Sequence, residues 1–103
     1  MRKKDIQIWR GDSSPTITWT MPFATTGFTF TLYVSWPGGY QTHTLTTGLS
    51  LSGANDVVWT YTSAESEEIP NGKVATYEMR RESGTTYRTY FYGYVTGMGG
   101  LSV

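Results

Sequence analysis

The sequence predicts an all-β domain: a two-layer antiparallel β-sandwich of immunoglobulin-like type, with seven to eight short strands. Three observations support this prediction. Aromatic residues make up 16% of the 103 residues and threonine is abundant, a composition that suits pleated, half-buried strands. Apolar and polar residues alternate with a period of two, and no segment has a convincing helical period. Turn-forming residues recur at intervals of about 8–12 residues, which is typical of sandwiches and, as the second choice, of small barrels.

The clearest strands lie in the first half of the chain. Every second residue from Ile17 to Met21 is apolar, with threonines between them, and the same alternation runs from Phe28 to Trp36. A strand with one apolar and one polar face belongs to an antiparallel sheet that covers one side of a core. Pro37-Gly38-Gly39 predicts the hairpin that follows. Further strands are predicted at residues 6–8, 40–46, 49–52, 57–61, 73–82 and 85–96.

The length allows one domain, residues 1–103, with a short basic N-terminal arm at residues 1–4 and a glycine-rich C-terminal tail at residues 97–103. Strict alternation of strands and helices is absent, and this excludes a parallel sheet. The polar segment between Tyr61 and Gly72 predicts a single helical turn that begins near Ser63 and ends at Pro70.

Composition excludes several functional classes. The chain has no cysteine, so a disulfide framework or thiol nucleophile is not available. Its net charge is zero, with 8 basic and 8 acidic residues, whereas nucleic-acid binding requires an excess of basic residues or a basic patch. No apolar run is long enough for a signal peptide or a membrane span. We therefore expect no nucleic-acid or membrane partner and no export signal.

The candidate catalytic and metal-binding residues do not form a site. His43 is the single histidine, and without cysteine it lacks the further ligands that zinc or copper would need; we expect it on the solvent face of its strand. Glu65, Glu67 and Glu68 lack the spacing of a calcium loop and predict a solvated acidic corner. No nucleophile elbow is present. The sequence predicts that the protein is not an enzyme, with no catalytic, metal-binding or cofactor-binding residues and no cofactor.

Arg10-Gly11-Asp12-Ser13 matches the tetrapeptide that integrins recognise in many adhesion proteins. The same residues have a structural reason to be there, because glycine, aspartate and serine followed by Pro15 are ordinary turn formers. The match is also short enough to arise by accident. We interpret the segment as a turn, and do not expect integrin binding through Arg10, Gly11 and Asp12.

The last strand carries the candidate partner-binding residues. Uninterrupted alternation through residues 87–95 places Tyr87, Thr89, Phe91, Gly93 and Val95 on one side, which we expect to face the core. The alternative is that both sides of this strand are half-buried. Exposed aromatic stripes mark protein contacts or sugar-stacking surfaces. The residues predicted on the outer side, and proposed to bind a partner, are Arg88, Tyr90, Tyr92 and Tyr94, joined by Tyr33 if its strand is adjacent.

The second half of the chain resembles a known family. A strand at Val57–Tyr61 is followed by a polar-acidic corner with Thr62, Ser63 and Glu65, then by Ile69-Pro70-Asn71-Gly72, a hairpin, and a final strand with Gly93-Tyr94-Val95. This order, with Gly11-Asp12 opening an early strand, resembles the small immunoglobulin-like β-sandwich modules of tailed-bacteriophage virion proteins. Examples are the N-terminal domain of upper baseplate proteins and tail-fibre attachment modules. Fibronectin-like domains share part of the pattern.

The resemblance implies a structural role in a bacteriophage virion, as a tail, baseplate, fibre-attachment or capsid-decoration protein made in the host cytoplasm. The family module usually precedes further domains, so ending at Val103 implies a stand-alone component. Its partners would be other virion proteins or copies of itself. The alternative is a carbohydrate-binding module in which Trp36, Tyr40 or the Tyr90–Tyr94 stripe stacks on glycans, although only Arg88 is close enough in sequence to bond sugar hydroxyls. A cell-adhesion protein is the third hypothesis.

Overall fold

A computed structural model describes residues 2–12, 16–83 and 85–99, and it confirms the predicted all-β sandwich. Within these residues the chain forms nine strands and one short helix. The strands are β1 (Arg2–Lys3), β2 (Ile6–Arg10), β3 (Thr16–Thr20), β4 (Thr29–Trp36), β5 (Gly39–Thr44), β6 (Leu49–Ser52), β7 (Asp56–Thr60), β8 (Gly72–Ser83) and β9 (Thr86–Gly99), and helix α1 (Ser63–Glu68) lies between β7 and β8.

The strands form two sheets. The larger has six strands in the order β1-β9-β8-β4-β5, with β2 also paired to β9, and the smaller has three in the order β3-β7-β6. The apolar residues of both sheets meet in one core, in which the side chains of Trp19, Trp59 and Tyr77 are among the largest that are fully buried. The alternating residues of β3, β4 and β8 supply much of this core, as their period of two predicts.

Most strand pairs are antiparallel, but β1 and β2 both pair with β9 in the parallel direction, which the prediction that excluded a parallel sheet did not anticipate. The rule behind the prediction concerns parallel strands joined directly, which need a crossover. Here the paired strands come from opposite ends of the chain, and the rest of the sandwich connects them. The predicted arm and tail are also partly strand: Arg2 and Lys3 form β1, and residues 97–99 extend β9. Met1 and residues 100–103 lie outside the described residues.

A kink at Lys4 and Asp5 allows β1 and β2 to follow the same edge of β9. The Lys4 amide donates to Tyr92 O (2.8 Å), and the Tyr94 amide donates to Asp5 Oδ1 (2.9 Å). The kink passes directly over Gly93, where a Cβ atom would lie 2.6 Å from Lys4 O. A glycine at this position therefore permits the close approach of the two backbones.

The Tyr77 hydroxyl joins this kink to the core. It accepts a hydrogen bond from Trp19 Nε1 (3.1 Å) and donates one to Lys4 O. Burial raises the pKa of Tyr77 to about 12; the bond from Trp19 acts in the opposite direction, and the nearby Asp5 adds to the rise. The buried hydroxyl thus links β8, β3 and the start of the chain, and it is held in its neutral form.

The prediction that His43 faces solvent is wrong, because the side chain is only 3% exposed. Its Nε2 lies 3.0 Å from Gln41 Oε1, and its Nδ1 lies 3.2 Å from Thr47 O. Gln41 Nε2 in turn donates to Glu65 O (3.0 Å) and to Glu68 Oε1 (2.8 Å). Strand β5 therefore turns two polar side chains inward, where the helix and the 45–48 turn supply the partners that buried polar groups need.

Candidate functional site

The outer face of the six-stranded sheet, opposite the core, brings three of the predicted partner-binding residues together. Tyr33 of β4 and Tyr92 of β9 lie in one cross-strand row, on either side of Glu78 of β8. Tyr94 lies in the next row. Tyr92 and Tyr94 are 38% and 37% exposed, and Tyr33 is half-buried. The prediction that Tyr33 could join the stripe is consistent with this placement, although β8 separates β4 from β9.

The three tyrosines line a shallow concavity of about 480 Å³. Tyr77 and Gly93 also line it, together with four polar or charged residues: Lys3, Ser35, Thr76 and Glu78. Sequence reasoning missed these four because they come from three separate strands, and only the strand register places them beside the rings. The concavity therefore combines aromatic surfaces with a carboxylate, an ammonium group and hydroxyls.

Cations lie over several of the outer-face tyrosine rings. Lys73 Nζ is 4.7 Å from the ring centroid of Tyr94, and Lys3 Nζ is 5.8 Å from the same centroid. The Arg80 guanidinium carbon is 5.1 Å from the ring of Tyr33 and 5.7 Å from that of Tyr87. Such contacts contribute about 0.5–1 kcal/mol each at exposed sites. They hold the rings and the cations together as one surface.

The prediction that Arg88 and Tyr90 share this outer face is wrong, because a β-bulge interrupts the alternation of β9. Phe91 pairs with Met79, but Thr89 pairs with Arg80, so Tyr90 is an extra residue in β9. One extra residue reverses the faces of every side chain beyond it. Tyr87, which is 58% exposed and which uninterrupted alternation assigns to the core side, therefore lies on the outer face.

Tyr90 and Arg88 instead belong to the core-facing side, near the end of the β8–β9 hairpin. The Tyr90 ring packs against the core, with its centroid 5.0 Å from that of Phe23. Arg88 lies directly opposite Arg81 in the strand register. The five residues predicted to bind a partner are thus divided between two surfaces; whether either binds a partner stays a prediction.

The Arg10-Gly11-Asp12 segment is held against helix α1. Arg10 Nε donates to Ile69 O (2.8 Å) and its Nη2 to Glu67 O (3.1 Å), at the C-terminal end of the helix. The Gly11 amide donates to Ser66 Oγ (2.9 Å), and Gly11 has a φ of 91°, which favours glycine. These contacts agree with a structural role for the segment; Ser13, Ser14 and Pro15 lie outside the described residues.

Helix α1 forms the predicted corner, although its N-cap is Thr62. The Thr62 hydroxyl accepts from the Glu65 amide (3.2 Å), and Glu65 Oε1 accepts from the Thr62 amide (2.9 Å). This reciprocal capping box gives Glu65 a structural role. Glu67 and Glu68 are exposed, as expected for a solvated corner. Among residues 2–12, 16–83 and 85–99, no cluster of three or more histidine, cysteine, aspartate or glutamate residues could hold a metal ion.

The described part of the chain contains no helix that is long and apolar enough to cross a membrane. Comparison with known proteins found no matching family model and no matching curated protein.

Proposed function

We propose that this chain is a structural component of a bacteriophage virion, acting in the tail, baseplate, fibre attachment or capsid decoration by binding other virion proteins or copies of itself. The observation that carries the proposal is the outer face of the large sheet, where cationic side chains lie over Tyr33, Tyr87 and Tyr94, beside the exposed Tyr92. Tyrosine and arginine are enriched at protein interfaces, because they present large contact areas that also form polar contacts.

Two of the sheet edges, β3 and β5, favour docking through a face rather than by strand addition. At the free edge of β3, Lys4 Nζ donates to Thr18 O (2.6 Å). Strand β5 forms an edge of the large sheet. At its end, the Thr44 amide donates to Thr47 Oγ1 (2.8 Å). Side chains thus occupy backbone groups that an added strand would need, which is how natural proteins protect open edges.

The resemblance to tailed-bacteriophage modules supports the same function. Its segments correspond to β7, the α1 corner, residues 69–72, and the β8–β9 hairpin, which lie together in one sandwich. Assembly by surface contact needs no catalytic group, cofactor or metal. The protein would be made in the host cytoplasm and located in the virion.

The test is incorporation into phage particles. A phage that encodes this chain is propagated with the wild-type gene or with Tyr92→Ser/Tyr94→Ser, and purified particles are analysed by quantitative mass spectrometry. We expect the wild-type protein in the particles at a fixed copy number and the double variant to be depleted at least about tenfold, because loss of interface hot spots costs 2 kcal/mol or more. Thr60→Ser, on an exposed position of β7, is the matched control and should be incorporated normally. Absence of the wild-type protein from the particles would contradict the proposal.

Carbohydrate binding is the second candidate function, and one observation favours it. Glu78, Lys3, Ser35 and Thr76 line the same concavity as the tyrosines, so hydroxyl-bonding groups that the sequence did not place beside the rings are present there. Sugar rings stack on aromatic faces while their hydroxyls bond charged and polar side chains. If carbohydrate binding is the function, the wild type and Thr60→Ser should bind on a printed array of bacterial surface glycans, and Tyr92→Ser/Tyr94→Ser should not. A silent array would exclude this function.

A further inference from the structure

Two arginines lie directly opposite each other near the end of the β8–β9 hairpin. Arg81 and Arg88 are partners in the strand register and therefore share a face of the sheet. Like charges at such positions destabilise a sheet. Within the described ranges, neither arginine has a carboxylate oxygen within 4.0 Å.

Arg81 is held in place by three aromatic rings. Its guanidinium carbon lies 4.6 Å from the ring centroid of Phe28, 5.3 Å from that of Phe23 and 5.5 Å from that of Tyr90. The Nε atom is buried and has no hydrogen-bond partner among the described residues. The rings stabilise the positive charge but accept none of its strong N–H hydrogen bonds. The guanidinium is therefore oriented, charged and incompletely bonded.

A third cation, Arg2 of β1, lines a cleft that Tyr90 also lines. The cleft has a volume of about 490 Å³, and its other lining residues are Phe91, Met21, Pro22 and Thr20. None of the described residues that line this cleft is acidic. Arg88 and Arg2 are both exposed, while Arg81 is half-buried. The surface around Tyr90 is thus positive although the chain as a whole is neutral.

We propose that this surface is a binding site for a doubly charged tetrahedral oxyanion of the phosphate or sulfate class, held by Arg81 and Arg88. Two guanidinium groups match two negative charges, and their planar forks bond such oxygens in pairs. A bound oxyanion would also relieve the repulsion between the opposed arginines. The proposal goes beyond assembly or glycan binding and uses residues on the opposite side of the sheet from Tyr92 and Tyr94.

The experiment measures phosphate and sulfate binding by the whole chain. Its melting temperature is followed against sodium phosphate and sodium sulfate at constant ionic strength, with sodium chloride as the balancing salt, and the affinity is confirmed by calorimetry. The variants are Arg88→Gln, which removes one proposed ligand, and Lys73→Gln, which removes an exposed cation from the outer face. Circular dichroism establishes that both variants are folded. Sodium acetate at the same ionic strength tests the need for a doubly charged ion.

We expect saturable stabilisation of the wild type and of Lys73→Gln. Arg88→Gln should bind about 10- to 100-fold more weakly, the range that corresponds to losing a hydrogen bond between charged groups. Phosphate and sulfate also stabilise proteins generally, by exclusion from their surfaces. Equal stabilisation of all three proteins would show only that general effect and would overturn the proposal. Binding of acetate as tight as that of sulfate would overturn it as well.

Discussion

The hydroxyl of Tyr77 provides the sharpest test of how the start of the chain is attached to the core. Replacing Tyr77 with phenylalanine keeps the ring but removes a bond accepted from Trp19 Nε1 and a bond donated to Lys4 O. Both Tyr77 and Trp19 are almost completely buried. The buried Trp19 donor left without a partner costs about 1–3 kcal/mol, and the lost bond to the carbonyl of the exposed Lys4 costs about 1 kcal/mol more. We therefore expect Tyr77→Phe to lower the free energy of unfolding by about 2–4 kcal/mol.

The same hydroxyl predicts a loss of stability at alkaline pH. Its pKa is about 12 in the folded protein, against an ordinary value of 10.0. Because the folded state binds this proton more tightly than the unfolded state, the contribution is fully present below pH 10. It is then lost as the pH rises from 10 towards 12. A difference of about 2 pKa units corresponds to about 3 kcal/mol. Tyr77→Phe should lack this part of the pH dependence.

Urea unfolding followed by tryptophan fluorescence measures both effects, at pH 8 and at pH 11. Tyr40→Phe is the matched control because Tyr40 is exposed on β5 and makes no side-chain hydrogen bond in the described structure. We expect the control to differ from the wild type by less than about 0.5 kcal/mol at both pH values. Equal stability of the wild type and Tyr77→Phe at pH 8 would refute the role of the hydroxyl. An equal loss of stability for both at pH 11 would refute the pH argument.

Three further substitutions test separate contacts. Gly93→Ala should lower the free energy of unfolding by about 1–3 kcal/mol, because the added Cβ would meet Lys4 O. It should also speed hydrogen exchange at the Tyr94 amide, and unchanged exchange would contradict the close approach of the kink to β9. Thr62→Ala should lower the free energy of unfolding by about 0.5–2 kcal/mol through loss of the N-cap. Unchanged stability in urea unfolding would show that the capping box does not stabilise the protein. Arg10→Gln should lower the free energy of unfolding by about 1–3 kcal/mol, because the charged donor to Ile69 O and Glu67 O is lost. Thermal unfolding identical to that of the wild type would show that the contact between Arg10 and α1 does not stabilise the protein.

The candidate site could be predicted from the sequence only as far as local alternation extended. Tyr92 and Tyr94 lie on the outer face as predicted, because β9 is regular between Phe91 and Val95. Tyr90 and Arg88 lie on the other face, since one unpaired residue beyond Phe91 reverses the alternation. The position of a bulge depends on how two strands pair, and it cannot be predicted from the sequence of β9 alone.

His43 illustrates the same limit for polar residues. Its strand alternates regularly, but a histidine in alternation can face either side, and the choice depends on whether partners exist inside. The partners of His43 are Gln41 and Thr47, and Gln41 in turn bonds helix α1 as far along the chain as Glu68. Sequence reasoning placed a polar residue in water because it could not see those partners.

The amino-acid order by itself determined the β class, the principal strands, the helical corner and the hydrophobic faces, since each depends on neighbours within a few residues. The tertiary structure alone decided that the two ends of the chain pair in parallel through β1, β2 and β9. It also decided that Glu78 and Lys3 lie beside Tyr92, and that Arg81 lies opposite Arg88. These outcomes depend on register and on close backbone contacts between distant segments, which no local pattern encodes.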